Sequence, residues 1–158
     1  APQAMHASTS TQKQRLNLLL TAHCAVAVAF GGTAFLFPHL FGFFLGEDWH
    51  GSWRWNPDDG QVKITHVIIR LYGALILGQS FLTFAARQTD DGAVRLAAVR
   101  AYAVVFSLTT VALLRAQFTD STWHVLNWIN VLLFASLAVF YGWFSLVQPP
   151  AVFEGLGK

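Results

Sequence analysis

Charge is scarce in this sequence, and acidic charge is kept out of its long apolar runs. Asp, Glu, Lys and Arg make up 11% of the residues, against about a quarter in ordinary globular domains. The acids lie in connections and tails, as with Glu47, Asp48, Asp58, Asp59, Asp90, Asp91 and Asp120. A carboxylate relay through a membrane is therefore not legible. No internal repeat is present either, which weighs further against an ion-coupled transporter. Cys24 is the single cysteine, so an internal disulfide and a Cys-rich metal motif are excluded, and the redox compartment cannot be read. The formal charge of +2 is scattered, without the basic stripe that phosphate neutralisation requires, so nucleic acid is excluded as a partner. No HExxH, GxSxG, CxxC or P-loop pattern occurs, and no other catalytic constellation stands in their place.

What the sequence has is apolar length. Hydrophobic residues are 54% of the 158, more than a single small domain can hide from water. The solvent for most of this chain must be lipid or a large partner. Four runs have the length of a membrane span, at about 16–37, 64–86, 94–117 and 123–147. About 20 helical residues at ~1.5 Å each match a hydrocarbon core of ~30 Å. The expected fold is all-α: a polytopic membrane protein built as a four-transmembrane-helix bundle over residues 16–148. Pro38 ends the first run, and Pro149 and Pro150 stop the last. The QTDDG stretch, 88–92, is a tight connection that predicts antiparallel neighbours. Asp120 or Ser121 can cap the fourth helix. Gly31, Gly32, Gly73 and Gly78 are candidate packing notches.

The one long connection, 38–63, reads as an interfacial helix or lid between helices 1 and 2. Its PHLFGFFLG segment is too short to span, and Trp49, Trp53 and Trp55 suit the headgroup zone. Asn56–Gly60 is turn chemistry. Residues 1–15 form a polar, basic, acid-free tail, and 149–158 a short C-terminal tail. A chain opening at Ala1 reads as one from which a leader was removed, or a trimmed one. The tail fits the end of an organelle-targeting region and an ordinary cytosolic tail equally. Lys13, Arg15, Arg87, Arg95 and Arg100 fall on one side, and Arg54, Lys63 and Arg115 on the other, diluted by acids. The positive-inside rule then places both termini on the cytoplasmic, matrix or stromal side.

Three groups of residues are candidates for binding. His66 and Arg70, four apart, share a helix face at the start of the second span. A cation there opposes the helix dipole, so a loop acid, a lipid phosphate or a ligand carboxylate should offset it. The structural reading is a snorkelling or loop-pinning arginine; the functional one is an anionic headgroup or cofactor site. His23 lies a third of the way into the first span, where a polar group is costly unless paired. It is either an axial ligand for a tetrapyrrole or the partner of a hydroxyl such as Ser107, Thr109 or Thr110. A bis-histidine haem needs a second histidine at that depth. His39, His50, His66 and His124 are all interfacial, so chlorophyll, with one axial ligand, fits better. In the third group His124, Asn127 and Trp128 share a face, as a ligand patch or as interhelical glue with an aromatic belt. The phenylalanine excess supplies lipid-facing and core bulk, and would also suit carotenoid or isoprenoid tails.

Two stretches carry a family likeness. AFLFPHLFGFFLG closes the first span and IIRLYGALILG opens the second. An apolar helix ending Phe37-Pro38, a loop, then Arg70-Leu71-Tyr72-Gly73 resembles the tumour protein p-fifty-three inducible protein eleven family. The later layout of two further spans fits as well. The resemblance implies a four-helix membrane protein without an established enzymatic activity, and it supplies no catalytic residue. This chain lacks the family's long charged N-terminal region, and its first loop is richer in Trp and Gly.

The expected function is that of a non-catalytic accessory subunit of a larger membrane complex. The expected host is an organellar energy-transducing complex, photosynthetic or respiratory, in a thylakoid or inner mitochondrial membrane. Within a photosystem, His23, His66 or His124 would hold chlorophyll, and the aromatic surfaces carotenoid or lipid. Membrane lipids and other integral subunits are the expected partners. One alternative is a small four-helix enzyme acting on a lipid, sterol or quinone through His66, Arg70 and His124. The Arg-Ala-His-x-Asn signature of the eicosanoid and glutathione enzymes of this size is absent; Arg100-Ala101-Tyr102 is the nearest approach. Another alternative, resting on the family likeness, is a stress-linked signalling or scaffold protein.

Overall fold

A computed structural model of the chain describes residues 2–42, 60–119, 125–148 and 150–153. Every regular element among them is helical: α1 (Pro2–Leu36), α2 (Pro38–Gly42), α3 (Gly60–Gln88), α4 (Gly92–Thr119), α5 (Val125–Val147) and a closing 3₁₀ turn at Pro150–Val152. Four stretches, Thr9–Leu36, Lys63–Gln88, Gly92–Thr119 and Trp128–Val147, are long and apolar enough to cross a membrane.

The helices start and stop where local chemistry requires it. Phe37 leaves the helix after its N–H bonds Thr33 O at 2.8 Å. Pro38 then opens α2, where a missing N–H and a fixed φ cost nothing. Asp91 caps α4: its Oδ1 accepts from the Ala93 and Val94 N–H groups at 2.8 and 3.4 Å, satisfying donors that have no partner within the helix. The structure departs from the sequence reading at two boundaries. Residues 2–15 are helical instead of a separate tail; they include Gln, Lys, Arg and Ala, which favour helix, and no Gly. α3 begins at Gly60, so the last residues of the expected loop belong to the helix. Of the expected lid, the described part is the five-residue α2. Trp49, Trp53, Trp55 and the acids Glu47, Asp48, Asp58 and Asp59 lie outside the described residues.

The four long helices pack as two close antiparallel pairs, α1 with α3 and α4 with α5. The α1–α3 pair meets at a bare backbone contact. A Cβ on Gly73 would lie 2.6 Å from Phe35 N and 2.8 Å from Gly31 O, and one on Gly31 would lie 3.0 Å from Gly73 O. Only glycine permits this approach, as in small-residue membrane interfaces. Gly32 and Gly78 have open space where a Cβ would stand and are not part of the notch. The two pairs meet through large side chains. Leu16, Leu20, Val99, Tyr102, Phe106, Tyr141, Phe144, Val152 and Phe153 form the core, set toward the end that holds the start of α1 and the closing 3₁₀ turn.

Outside this core many large apolar residues face outward. Leu75, Phe81, Leu108 and Leu132 are 65–70% exposed, one or more on each of α3, α4 and α5. Hydroxyls are satisfied within their own helix. Thr21, Thr33, Ser107, Thr109, Thr110 and Thr119 each donate to the carbonyl four residues back at 2.7–2.9 Å. Such bonds weaken a helix slightly in water, but they leave no polar hydrogen facing an apolar solvent.

The glycine notch makes a direct prediction. Gly73→Leu should lower the midpoint of thermal unfolding in detergent, at a cost of about 1–3 kcal/mol or more from overpacking. Gly78→Ala should leave the midpoint unchanged or slightly raised. Equal behaviour of the two variants would show that the α1–α3 contact is not the close one described.

Candidate functional site

Four helices contribute to one polar and aromatic layer around His23. The imidazole projects from α1 and is 5% exposed. Its Nδ1 lies 2.7 Å from the Tyr141 hydroxyl on α5. The pair is satisfied in either tautomer: the phenol donates to a bare Nδ1, or an Nδ1–H donates to the phenol oxygen. Three rings close on the imidazole edge-on, Tyr102 at 4.7 Å, Phe106 at 5.0 Å and Tyr141 at 5.6 Å between centroids. These are the offset and edge-to-face arrangements that aromatic quadrupoles favour.

The layer continues into α3. The Tyr102 hydroxyl donates to the Gln79 carbonyl at 2.8 Å. Thr83 Oγ1 lies 2.8 Å from both that carbonyl and the Tyr102 hydroxyl. With one proton, Thr83 serves one of them at a time. Beside it, Cys24 Sγ donates weakly to Ser80 O at 3.5 Å, and Ser80 Oγ donates to Leu77 O at 2.7 Å. The layer thus ties α1 to α5 and α4 to α3, across the gap between the two close pairs. Chemically, the Nδ1 of His23 and both phenol hydroxyls are engaged in hydrogen bonds.

A second polar contact sits at the end of the bundle near the α3–α4 turn. Arg95, in the first turns of α4, is buried, and its Nη2 donates to Asn17 Oδ1 on α1. Arg95 Nε has no hydrogen-bond partner among the described residues. The sequence reading grouped Arg95 with the orientation-setting cations; the structure makes it an internal tie between α1 and α4.

The candidate residues from the sequence do not converge on one place. His23 stands in the core, toward the end shared by the start of α1 and the α3–α4 turn. His66 is half-buried and Arg70 exposed, at the far end of α3. Arg70 makes no hydrogen bond or ion pair among the described residues. Trp128 is half-buried at that same far end, on α5, where its ring meets Phe118 edge-on at 6.3 Å. Asn127 lies within α5, but its side chain is outside the described set, as is the whole of His124. The loop acids proposed as partners of Arg70 are outside it too.

His23 is hydrogen-bonded, though not to the hydroxyls considered from the sequence. Ser107, Thr109 and Thr110 bond their own helix, and Tyr141 takes the imidazole. Sequence reasoning passed over Tyr102, Tyr141, Thr83 and Asn17. A usable signal existed: counting depth along antiparallel spans brings Tyr102 and Tyr141 to the level of His23. Of the motif that carries the family likeness, Leu71 and Tyr72 are exposed, while Gly73 is buried against α1.

No family model, no curated protein and no solved structure matches this chain.

Tyr141→Phe should remove the His23 bond and little else, costing about 1 kcal/mol. In a double-mutant cycle with His23→Phe, unfolding titrations in mixed micelles should give a coupling energy of about that size. A coupling near zero would mean that the pair does not hold the helices together.

Proposed function

We propose that this chain is a non-catalytic integral membrane subunit that assembles into a larger membrane complex, with lipid and neighbouring integral proteins as its partners. The observation that carries this reading is the contrast between the inside and the outside of the bundle. Inside, His23 Nδ1 is bonded to Tyr141, and Tyr102 to Thr83 and the Gln79 carbonyl, so the polar groups of this layer serve to tie helices together. Outside, large apolar side chains are exposed on all four long helices, among them Leu18, Leu75, Leu108 and Leu146. A surface of that extent marks contact with a membrane or another protein.

An organellar energy-transducing complex, photosynthetic or respiratory, is the host this reading favours. The acid-free N-terminal segment and the aromatic outer surface support it. The Lys/Arg asymmetry supports placing both termini on the stromal, matrix or cytoplasmic side. For chlorophyll, the residues differ in suitability. Tyr102, Phe106 and Tyr141 close on His23, so a tetrapyrrole on that imidazole requires those rings to be displaced. His66 and His124 are the other histidines to test, with the exposed aromatic surface for carotenoid.

The test is purification from the native membrane in mild detergent, followed by mass spectrometry and an absorption spectrum. The expected result is co-purification with other integral proteins in a particle larger than this bundle with its micelle. A partner-free monomer would overturn the proposal. A chlorophyll band that survives His23→Phe and disappears with His66→Phe or His124→Phe would assign the ligand.

A further inference from the structure

The exposed arginines form two levels on the bundle. We infer that Arg70 with Arg115, and Arg87 with Arg100, are phosphate-contacting belts that set which part of each helix lies in the hydrocarbon of a phospholipid bilayer. This inference rests on the membrane reading above and deepens it, by giving the register and the lipid group recognised.

All four arginines are exposed, and none of their side chains makes a hydrogen bond or ion pair among the described residues. An exposed guanidinium on an apolar helix surface seeks water or an anion, and phosphate accepts its planar fork well. The two levels follow from the packing. α3 and α4 run antiparallel, with Thr83 against Tyr102. Counting outward from that contact brings Arg70 level with Arg115, and Arg87 to within about one turn of Arg100. Along α3, Arg70 and Arg87 are about 25 Å apart; along α4, Arg100 and Arg115 are about 22 Å apart, at ~1.5 Å per residue. Snorkelling side chains add several Å at each end, which brings the separation of the charged groups to the ~30 Å of a hydrocarbon core.

The surface between the belts is apolar on both helices. Leu71, Leu75, Phe81, Leu82 and Phe84 are exposed on α3, and Val104, Val105, Leu108 and Val111 on α4. Polar side chains at these depths, His23, Thr83, Tyr102, Ser107, Thr109 and Thr110, bond within the bundle. Beyond the belts, charged and polar side chains join exposed apolar ones such as Ile64, Val67, Ile68 and Phe118. Lys63 and His66 on α3 and Trp128 on α5 fall outside the Arg70–Arg115 level. The Arg95–Asn17 tie falls near the other boundary. The hydrocarbon portion of α3 is therefore about 70–87 and not the apolar run 64–86. The run-centred placement would bury the Arg70 level more than a helical turn inside the lipid.

The test uses the full chain with Cys24→Ala, reconstituted in phosphatidylcholine vesicles. Nitroxide labels are placed singly at exposed positions by Val67→Cys, Leu75→Cys, Leu82→Cys, Leu108→Cys and Phe118→Cys. Their depth is read from the relaxation effects of oxygen and of a water-soluble nickel chelate. Labels at 75, 82 and 108 should be open to oxygen and shielded from nickel, and those at 67 and 118 open to nickel. If position 67 is as deep as 75, the register is wrong while insertion stands. If no label is shielded from nickel, the membrane reading itself fails. Arg70→Gln combined with Arg115→Gln should move position 67 deeper; an unchanged depth would overturn the role given to the guanidinium–phosphate contact.

Discussion

A polar atom carried into an apolar solvent must find its partner inside the protein, and this bundle is built around that constraint. Backbone groups meet it by being helical, as they must in lipid. Hydroxyls meet it one helix at a time, as Thr21, Thr33, Ser107, Thr109 and Thr110 do by bonding the carbonyl four residues back. His23 and Tyr102 cannot do so, because their polar atoms stand too far from their own backbone. They reach across to other helices, and the meeting of the two helix pairs is where their partners lie.

The two pairs are held by different forces. α1 and α3 approach until Gly31 and Gly73 meet backbone to backbone, a contact made of dispersion and shape. Between the pairs the spacing is wider and is filled by rings. Tyr102, Phe106 and Tyr141 surround His23, and Phe106 also meets Phe134 at 5.9 Å. Hydrogen bonds add direction to this layer: His23 to Tyr141 links α1 with α5, and Tyr102 to Gln79 links α4 with α3. Shape complementarity sets each pair, and polar pairing sets how the pairs are turned against each other.

The helices were legible in the sequence because their signals are local. Apolar length gives the long helices, Pro38 gives the break after the first, and the QTDDG stretch gives the tight connection between α3 and α4. The close approach of α1 and α3 was half legible: Gly31 and Gly73 stood out as notches, but nothing in the sequence paired them. The His23 layer was the least legible. His23 was conspicuous as a polar residue in an apolar run, yet Tyr141 lies 118 positions away; counting depth brings the two level but does not say which helix faces which. The tie that Arg95 makes was not legible for a related reason. The place of Arg95 at the start of α4 is that of an interfacial cation, and only the neighbouring α1 with Asn17 converts it into a buried tie. Contacts between helices depend on rotation about each axis, which apolar runs lacking a polar face do not encode.

The self-bonded hydroxyls bear on how such a chain is made. A helix whose hydroxyls are already bonded to its own backbone can leave a translocation machinery and enter lipid singly, with no hydroxyl waiting for a later helix. α5 carries one interhelical phenol, Tyr141, and α4 another, Tyr102. His23 on α1 precedes Tyr141 on α5 by 118 residues, so during synthesis the imidazole is made well before its partner. Between those two moments the imidazole has no final partner. That interval closes only when α5 has been made.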